Sequence, residues 1–177
     1  MELWDIYDEN RIKTGQVLPR DQMRSPDAYH LVVGIAVYNE AGQVLITKRA
    51  PEKPTDPGKW ESTAGAVIAG ENSLEGACRE LYEETGISAA PEDMVLVYQT
   101  RGAGHSGGAL IDVYTVKRDI PLAQIRLQPG ETCDAKWIEA ACWYRGIQSG
   151  DVLFLGWDEK EKIAKAVMDV MNNKENE

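Results

Sequence analysis

The sequence predicts an α+β fold, and three observations carry that prediction. Two neighbouring runs rich in Val and Ile, His30 to Asn39 and Val44 to Arg49, read as strands, and the stretch Asn39 to Gln43 between them has turn chemistry. Apolar residues at helical spacing run from Ser73 to Gly86. A second helical pattern, Asp158 to Met171, places Ile163, Ala166, Val167 and Val170 on one face.

The elements follow in order. Leu3 to Tyr7 reads as an opening strand, Thr14-Gly15 as a turn, and Ser25-Pro26-Asp27 as a break before the main body. His30 to Asn39 is apolar almost throughout and is expected to be buried; with Val44 to Arg49 it forms a candidate hairpin. "APEKPTDPGKW" holds three prolines and a glycine, so it is a surface loop. In the first helix Ser73 is the expected N-cap, with Gly76 rather than Glu at its N3 position, and Gly86 is the expected C′ glycine. Met94 to Arg101 and Ala109 to Lys117 read as a second strand pair around the loop Gly102 to Gly108, and Ala135 to Glu139 as a late strand. Residues 1–177 read as a single domain, with 1–29 an N-terminal strand and extension and 172–177 a polar, frayed tail.

Composition narrows the partners. Hydrophobic residues at 43% and charged residues at 27% fit a soluble globular protein. A formal net charge of -10 excludes a large basic surface, so duplex nucleic acid and anionic membranes are not expected partners. An acidic chain that handles phosphates needs a divalent cation to mask the repulsion. The N-terminus MELWDIYDEN is acidic and lacks an apolar h-region, and no apolar stretch is long enough to span a bilayer. Cys78, Cys133 and Cys142 form no CxxC pair, and the two histidines, His30 and His105, lie near no cysteine. Reduced thiols in a cytoplasmic protein are therefore expected, and no zinc site.

The first helix raises a question of charge. At about 100° per residue, Leu74, Ala77, Cys78 and Leu81 share an apolar face. Glu80, Glu83 and Glu84 cluster on an adjacent face, with Cβ atoms roughly 5–6 Å apart, and Arg79 lies beside Glu83. Like charges at this spacing destabilise a helix unless something offsets them. Solvent around an acidic face is one answer. A bound Mg²⁺ or Mn²⁺ is the other, since hard cations prefer carboxylate, carbonyl and water oxygens.

The wider spacing favours the cation. Gly65, five residues, Glu71, seven residues, then Arg79-Glu80-Leu81-Tyr82-Glu83-Glu84-Thr85-Gly86-Ile87 resembles the signature of the Nudix hydrolases (MutT-like) at every fixed position. Seven fixed identities at set spacing arise by chance at roughly one in 10⁸ starts or fewer. The resemblance covers roughly Leu31 to Met171 and implies an α/β/α sandwich with a mixed β-sheet, the box forming a loop–helix–loop. It implies metal-dependent hydrolysis of a nucleoside diphosphate linked to another moiety, by water attack at phosphorus. Carried over by position, Glu80, Glu83, Glu84 and the Gly65 carbonyl would ligate the metal, and Arg79 would pair with Glu71 and Glu83. The proton of the attacking water would go to Glu83 inside the box, or to Glu131 in "QPGETCDAKW" outside it. Lys48, Arg49 and His105 are weaker substrate candidates; each also reads as an ordinary surface residue. Trp60 reads as a packing anchor and His30 as a strand start without catalytic duty.

Two rivals share the fold. "ELWDIYDENRIKTG" resembles the opening of isopentenyl diphosphate isomerase and its hydrolase-like relatives. The isomerase needs a cysteine shortly after the loop tryptophan and several histidine ligands. Trp60 to Val67 holds no cysteine, and the chain has two histidines, so the isomerase-like hydrolase subgroup is the better match. A catalytically inactive nucleotide-binding module would be expected to lack box glutamates, and all are present. The substrate is expected to be a small nucleotide diphosphate derivative, and the N-terminal segment could pair two subunits as a homodimer.

Overall fold

The computed structural model of the chain describes residues 2–22, 27–104, 107–155 and 158–173. Its strands are β1 (Leu3–Tyr7), β2 (Lys13–Pro19), β3 (Tyr29–Tyr38), β4 (Gln43–Arg49), β5 (Trp60–Glu61), β6 (Thr63–Ala66), β7 (Val95–Gly104), β8 (Gly107–Lys117), β9 (Thr132–Glu139) and β10 (Val152–Leu153). Its helices are α1 (Ser73–Thr85), α2 (Ala140–Ser149) and α3 (Lys160–Asn173). None of them is long and apolar enough to cross a membrane.

The sheet is mixed. β3 runs parallel to β8 along its whole length, from Tyr29↔Gly108 to Tyr38↔Lys117, and antiparallel to β6 from Val32↔Ala66 to Ile35↔Thr63. Its apolar run is buried on both faces, as strands central to a covered sheet must be. On β8, Ala109, Ile111 and Val113 enter one core with Trp143, Ile147, Ile163 and Val167 of α2 and α3. Leu110, Tyr114 and Val116 enter the other, with Ala77 and Leu81 of α1. The period of two along one strand thus feeds two cores, and the result is an α/β/α sandwich.

The expected β3–β4 hairpin exists only at its turn. Tyr38↔Val44 is the one register pair, because β4 diverges to pair with β9 from Gln43↔Glu139 onward. The chain after β4 returns through the divergence as β5, on β4, and β6, on β3. This opening positions the cleft described below.

Several expectations need correction. Thr14-Gly15 is not a turn: both residues lie inside β2, where Gly15 takes φ 82°. The reversal falls at Asp8 to Ile12, where the Asp8 carboxylate accepts from the Asn10 and Ile12 amides and Arg11 sits at φ 67°. Arg11 then reaches the buried Asp112 on β8, tying this hairpin to the sheet. The loop expected over Gly102 to Gly108 is largely strand, with β7 and β8 paired up to Gly104↔Gly107. Ser25, Pro26, His105 and residues 174–177 lie outside the described residues, while Asn172 and Asn173 are helical rather than frayed. α3 buries Ile163 and Val167 as expected, with Ala164 and Met171 in place of Ala166 and Val170.

The N-cap of α1 is Asn72, not Ser73. Its side chain accepts from the Glu75 amide at 3.0 Å, and Glu75 returns a hydrogen bond from the Asn72 amide at 2.8 Å. This is a complete capping box, one residue ahead of the expected start. At the other end Gly86 takes φ 72° and its amide reaches the Tyr82 carbonyl. Asn72→Ala should cost about 1 kcal/mol and lower the melting temperature by about 2–4 °C, read by thermal unfolding. An unchanged melting temperature would show that the cap carries no stability.

Candidate active site

A cleft of about 420 Å³ opens where β3 and β4 diverge, and Gly65, Arg79, Glu80, Glu83 and Glu84 line one end of it. The backbone that carries them is held from outside. The Val67 amide donates to the Leu31 carbonyl and the Ala69 amide to the Leu3 carbonyl. The Gly70 amide donates to the Asp5 carboxylate at 3.0 Å, and that contact, followed by Lys13, holds the Asp5 pKa below its ordinary value. The N-terminal strand therefore braces the loop between β6 and α1.

Arg79 organises the carboxylates. Its Nε and Nη2 donate to the two oxygens of Glu71 at 2.8 and 3.0 Å, a bidentate pair. Its Nη1 reaches Glu80 at 2.8 Å and Glu83 at 3.1 Å, and its Nη2 also reaches the Ala66 carbonyl at 2.9 Å. Burial works against the guanidinium charge, and the bonds to Glu71 and Glu80 outweigh it, so the Arg79 pKa is raised. The pairing with Glu71 and Glu83 matches expectation, and Glu80 and the Ala66 carbonyl are added to it.

The three helix glutamates differ in environment. Glu83 is the exposed one. Glu80 and Glu84 are buried, at 8% exposure each. Burial raises the Glu80 pKa, against the opposing pull of Arg79. Glu84 is pushed well above the usual carboxylate range, first by burial and then by the charges of Glu61, Glu80 and Glu131. Its Oε2 is buried with no hydrogen-bond partner among the described residues. A buried carboxylate oxygen of this kind is costly unless a cation or donor meets it.

Tested against a divalent cation, the donor chemistry fits. Glu80, Glu83 and Glu84 all offer carboxylate oxygen, the hard donor that Mg²⁺ or Mn²⁺ prefers. A Cβ added to Gly65 would fall within the Glu80 carboxylate, so only glycine lets the strand and the helix approach this closely. Among the described residues no three His, Cys, Asp or Glu side chains are arranged to hold a metal ion. Glu80 and Glu83 turn instead to Arg79.

Other candidates are sorted by strand alternation. Arg49 lines the cleft, bonding Glu61 at 2.7 Å and the Thr55 carbonyl at 2.9 Å. Lys48, its neighbour, is not brought to the cleft: its Nζ lies 5.7 Å from the Trp60 ring centroid. Trp60 packs against the α2–α3 core, as an anchor should, under Lys136 at 3.9 Å. Glu131 does line the cleft and is ion-paired with Lys53 of the proline-rich loop. Sequence reasoning missed Lys53 and Glu61. Arg49 ends β4 and Lys53 lies four residues on in the loop, a spacing without periodic meaning there, and Glu61 belongs to a strand of two residues.

His30, read as a strand start without catalytic duty, lies at the start of β3 and also lines the cleft. Its ring stacks on Trp4 with centroids 4.0 Å apart and planes 6° from parallel. Burial, with Arg20 as a lesser cause, lowers its pKa from 6.5 to about 4 against the pull of the Gly108 carbonyl. The folded pKa is depressed, so the stability contributed by the neutral ring is full above pH 6.5 and is lost as the pH falls through about 4. The loss amounts to about 3 kcal/mol. Between pH 7 and pH 4 the wild type should lose that much stability relative to His30→Phe in denaturant unfolding. Parallel curves for the two proteins would contradict the assignment.

Comparison with known proteins agrees with the box and the fold. The NUDIX domain family model matches residues 28–143. An uncharacterized Nudix hydrolase of Listeria monocytogenes is 36% identical over 141 residues, covering 78% of this chain and 80% of that protein. An isopentenyl-diphosphate Delta-isomerase of Escherichia coli is 27% identical over 130 residues, covering 72% of this chain and 71% of the isomerase. DR0079 of Deinococcus radiodurans, a crystal structure, superposes with a TM-score of 0.71 at 20% identity, over 94% of this chain and 99% of that one. That last likeness concerns the fold, whereas the family match spans most of the sequence and includes the whole glutamate box: the chain belongs to the Nudix hydrolase family.

Proposed function

We propose that the protein is a Mg²⁺- or Mn²⁺-dependent hydrolase that cleaves the diphosphate linkage of a nucleoside diphosphate joined to another moiety. The observation that carries this reading is the buried, unpartnered Glu84 oxygen at the box end of the cleft. Glu80, Glu83, Glu84 and the Gly65 carbonyl would hold the cation. When bound, it supplies charge neutralisation on the diphosphate oxygens and acidifies a bound water.

The chain's own residues do the rest. Arg79, bonded to Glu71, Glu80 and Glu83, fixes where the carboxylates stand. Arg49 and Lys53 add positive charge along the cleft, toward the phosphate oxygens. Glu83 and Glu131, which both line the cleft, would be the candidates to take the proton from water. Each is held by a cation, Glu83 by Arg79 and Glu131 by Lys53. Glu131→Gln should lower kcat with KM little changed if Glu131 is the base and leave kcat near wild type if it is not; Glu83→Gln, which also removes a cation ligand, should lower kcat in either case. Unpaired Cys78, Cys133 and Cys142 suit a cytoplasmic setting.

The decisive assay is a panel of nucleoside diphosphate derivatives with Mg²⁺, scored for released nucleoside monophosphate. Turnover of at least one, abolished by a chelator, is expected. Turnover indifferent to the chelator would sink the metal mechanism. Isopentenyl diphosphate belongs in the same panel because of the isomerase relative. Its isomerisation would establish the rival activity, against which stands the absence of any cysteine from Trp60 to Val67.

A further inference from the structure

The far end of the cleft is built differently from the box end. Its floor is the sheet face formed by Val32 and Ile111, paired across β3 and β8, with Ala66 paired to Val32 on the other side and Ala109 paired to His30. These side chains are small or branched, so the floor is flat and apolar. Neighbouring strands lie about 4.8 Å apart, which puts the floor one to two strand spacings from the box loop. Phe154 and Leu155 stand over Gly34 and bound one end of the floor. The stacked His30–Trp4 pair bounds the other, four residues back along β3, or roughly 13 Å away. That slot has the length and flatness for a planar ring system attached to a diphosphate held at the box.

His30 gives this end its polarity. The Gly108 carbonyl can only accept, so the 3.1 Å contact with Nδ1 places the ring proton there. The imidazole is neutral at pH 7. Nε2 is then an acceptor, and among the described residues it has no hydrogen-bond partner. Trp4 fixes the ring plane by stacking, and the Arg20 guanidinium, which also lines the cleft, lies 5.7 Å from the Trp4 ring centroid. Trp4 and Arg20 belong to the N-terminal segment, outside the residues 28–143 matched by the family model.

We propose that this end of the cleft is the subsite for an amino-bearing nucleobase, that the Nε2 of His30 accepts from the base edge, and that Trp4 positions His30 to do so. A bare hydrocarbon chain would displace water from this acceptor without replacing its hydrogen bond, a loss that a base donor avoids. The subsite rests on the reading of the carboxylate end as the diphosphate site. It makes the N-terminal hairpin a determinant of specificity, carried by residues that the box does not contain.

The test is binding without turnover. Affinities for AMP and for ribose 5-phosphate are measured by titration calorimetry for the wild type and for His30→Phe, which keeps a flat ring against Trp4. The wild type should bind AMP more tightly. His30→Phe should lose about five- to ten-fold in AMP affinity and none for ribose 5-phosphate. In ¹⁵N-histidine-labelled wild type, AMP should shift the unprotonated Nε2 signal upfield, a readout that survives if the variant does not fold. Equal wild-type affinities, an equal loss for both ligands, an unmoved Nε2 signal, or tighter binding of isopentenyl diphosphate than of AMP would each overturn the subsite. The expected binding pattern without hydrolysis of any panel compound would support the subsite and overturn the hydrolase reading.

Discussion

Glu84→Gln is expected to make the metal-free protein more stable and the enzyme at least about 100-fold slower. The two effects share one cause. Glu84 is buried at 8% exposure, its Oε2 has no partner, and its charge stands among those of Glu61, Glu80 and Glu131. Among the described residues only the attraction of Lys53 works against that cost, and it is the least of the causes acting on Glu84. Glutamine keeps the shape and removes the charge, which should contribute about 1–3 kcal/mol to the metal-free fold. At about 2–4 °C per kcal/mol the melting temperature should rise visibly. Added Mg²⁺ should raise the melting temperature of the wild type and much less that of the variant, because a ligand stabilises only the form it binds. A lower melting temperature without metal, or full activity in the variant, would mean that Glu84 is an ordinary structural residue.

This trade of stability for function explains why the box was legible in the sequence. Its residues are placed by covalent spacing along one helix and by one glycine, so the periodicity of 3.6 places Glu80, Glu83 and Glu84 together without knowledge of the rest of the fold. The long strands were legible for a similar reason, since β3 and β8 are predominantly apolar and read as central. What escaped depends on distant partners. β5, β6 and β10 are two to four residues long; β5 and β6 exist because β4 and β3 diverge and offer them edges, and β10 pairs in turn on β5. α2 follows β9 directly, without a side-chain cap, and carries a glycine at position 146, so no start signal marked it. Asn72 and Ser73 are both competent caps, and Glu75 decided between them by completing the box with Asn72. The His30–Trp4 wall joins residues far apart in sequence, and neither carries a local sign of the other.

Arg79→Met should be the most destabilising single change at the site, at about 3–5 kcal/mol, and should also remove most activity. This guanidinium donates five hydrogen bonds, two to Glu71 and one each to Glu80, Glu83 and the Ala66 carbonyl. Methionine fills the volume of the stem and leaves the partly buried Glu71 and the buried Glu80 without a counter-charge, which is the costly way to break such a cluster. Arg79→Lys tests geometry separately from charge. One ammonium cannot span Glu71 bidentately while also reaching Glu80 and the Ala66 carbonyl, so lysine should restore part of the stability and little of kcat. A double-mutant cycle with Glu71→Gln isolates the pair: a coupling near zero would show that Arg79 acts through Glu80 and Glu83 alone. Because Glu71 and Ala66 flank the loop that follows Gly65, a strong coupling would mean that Arg79 sets the loop backbone and the helix carboxylates together, and that their relative position is what the enzyme loses with it.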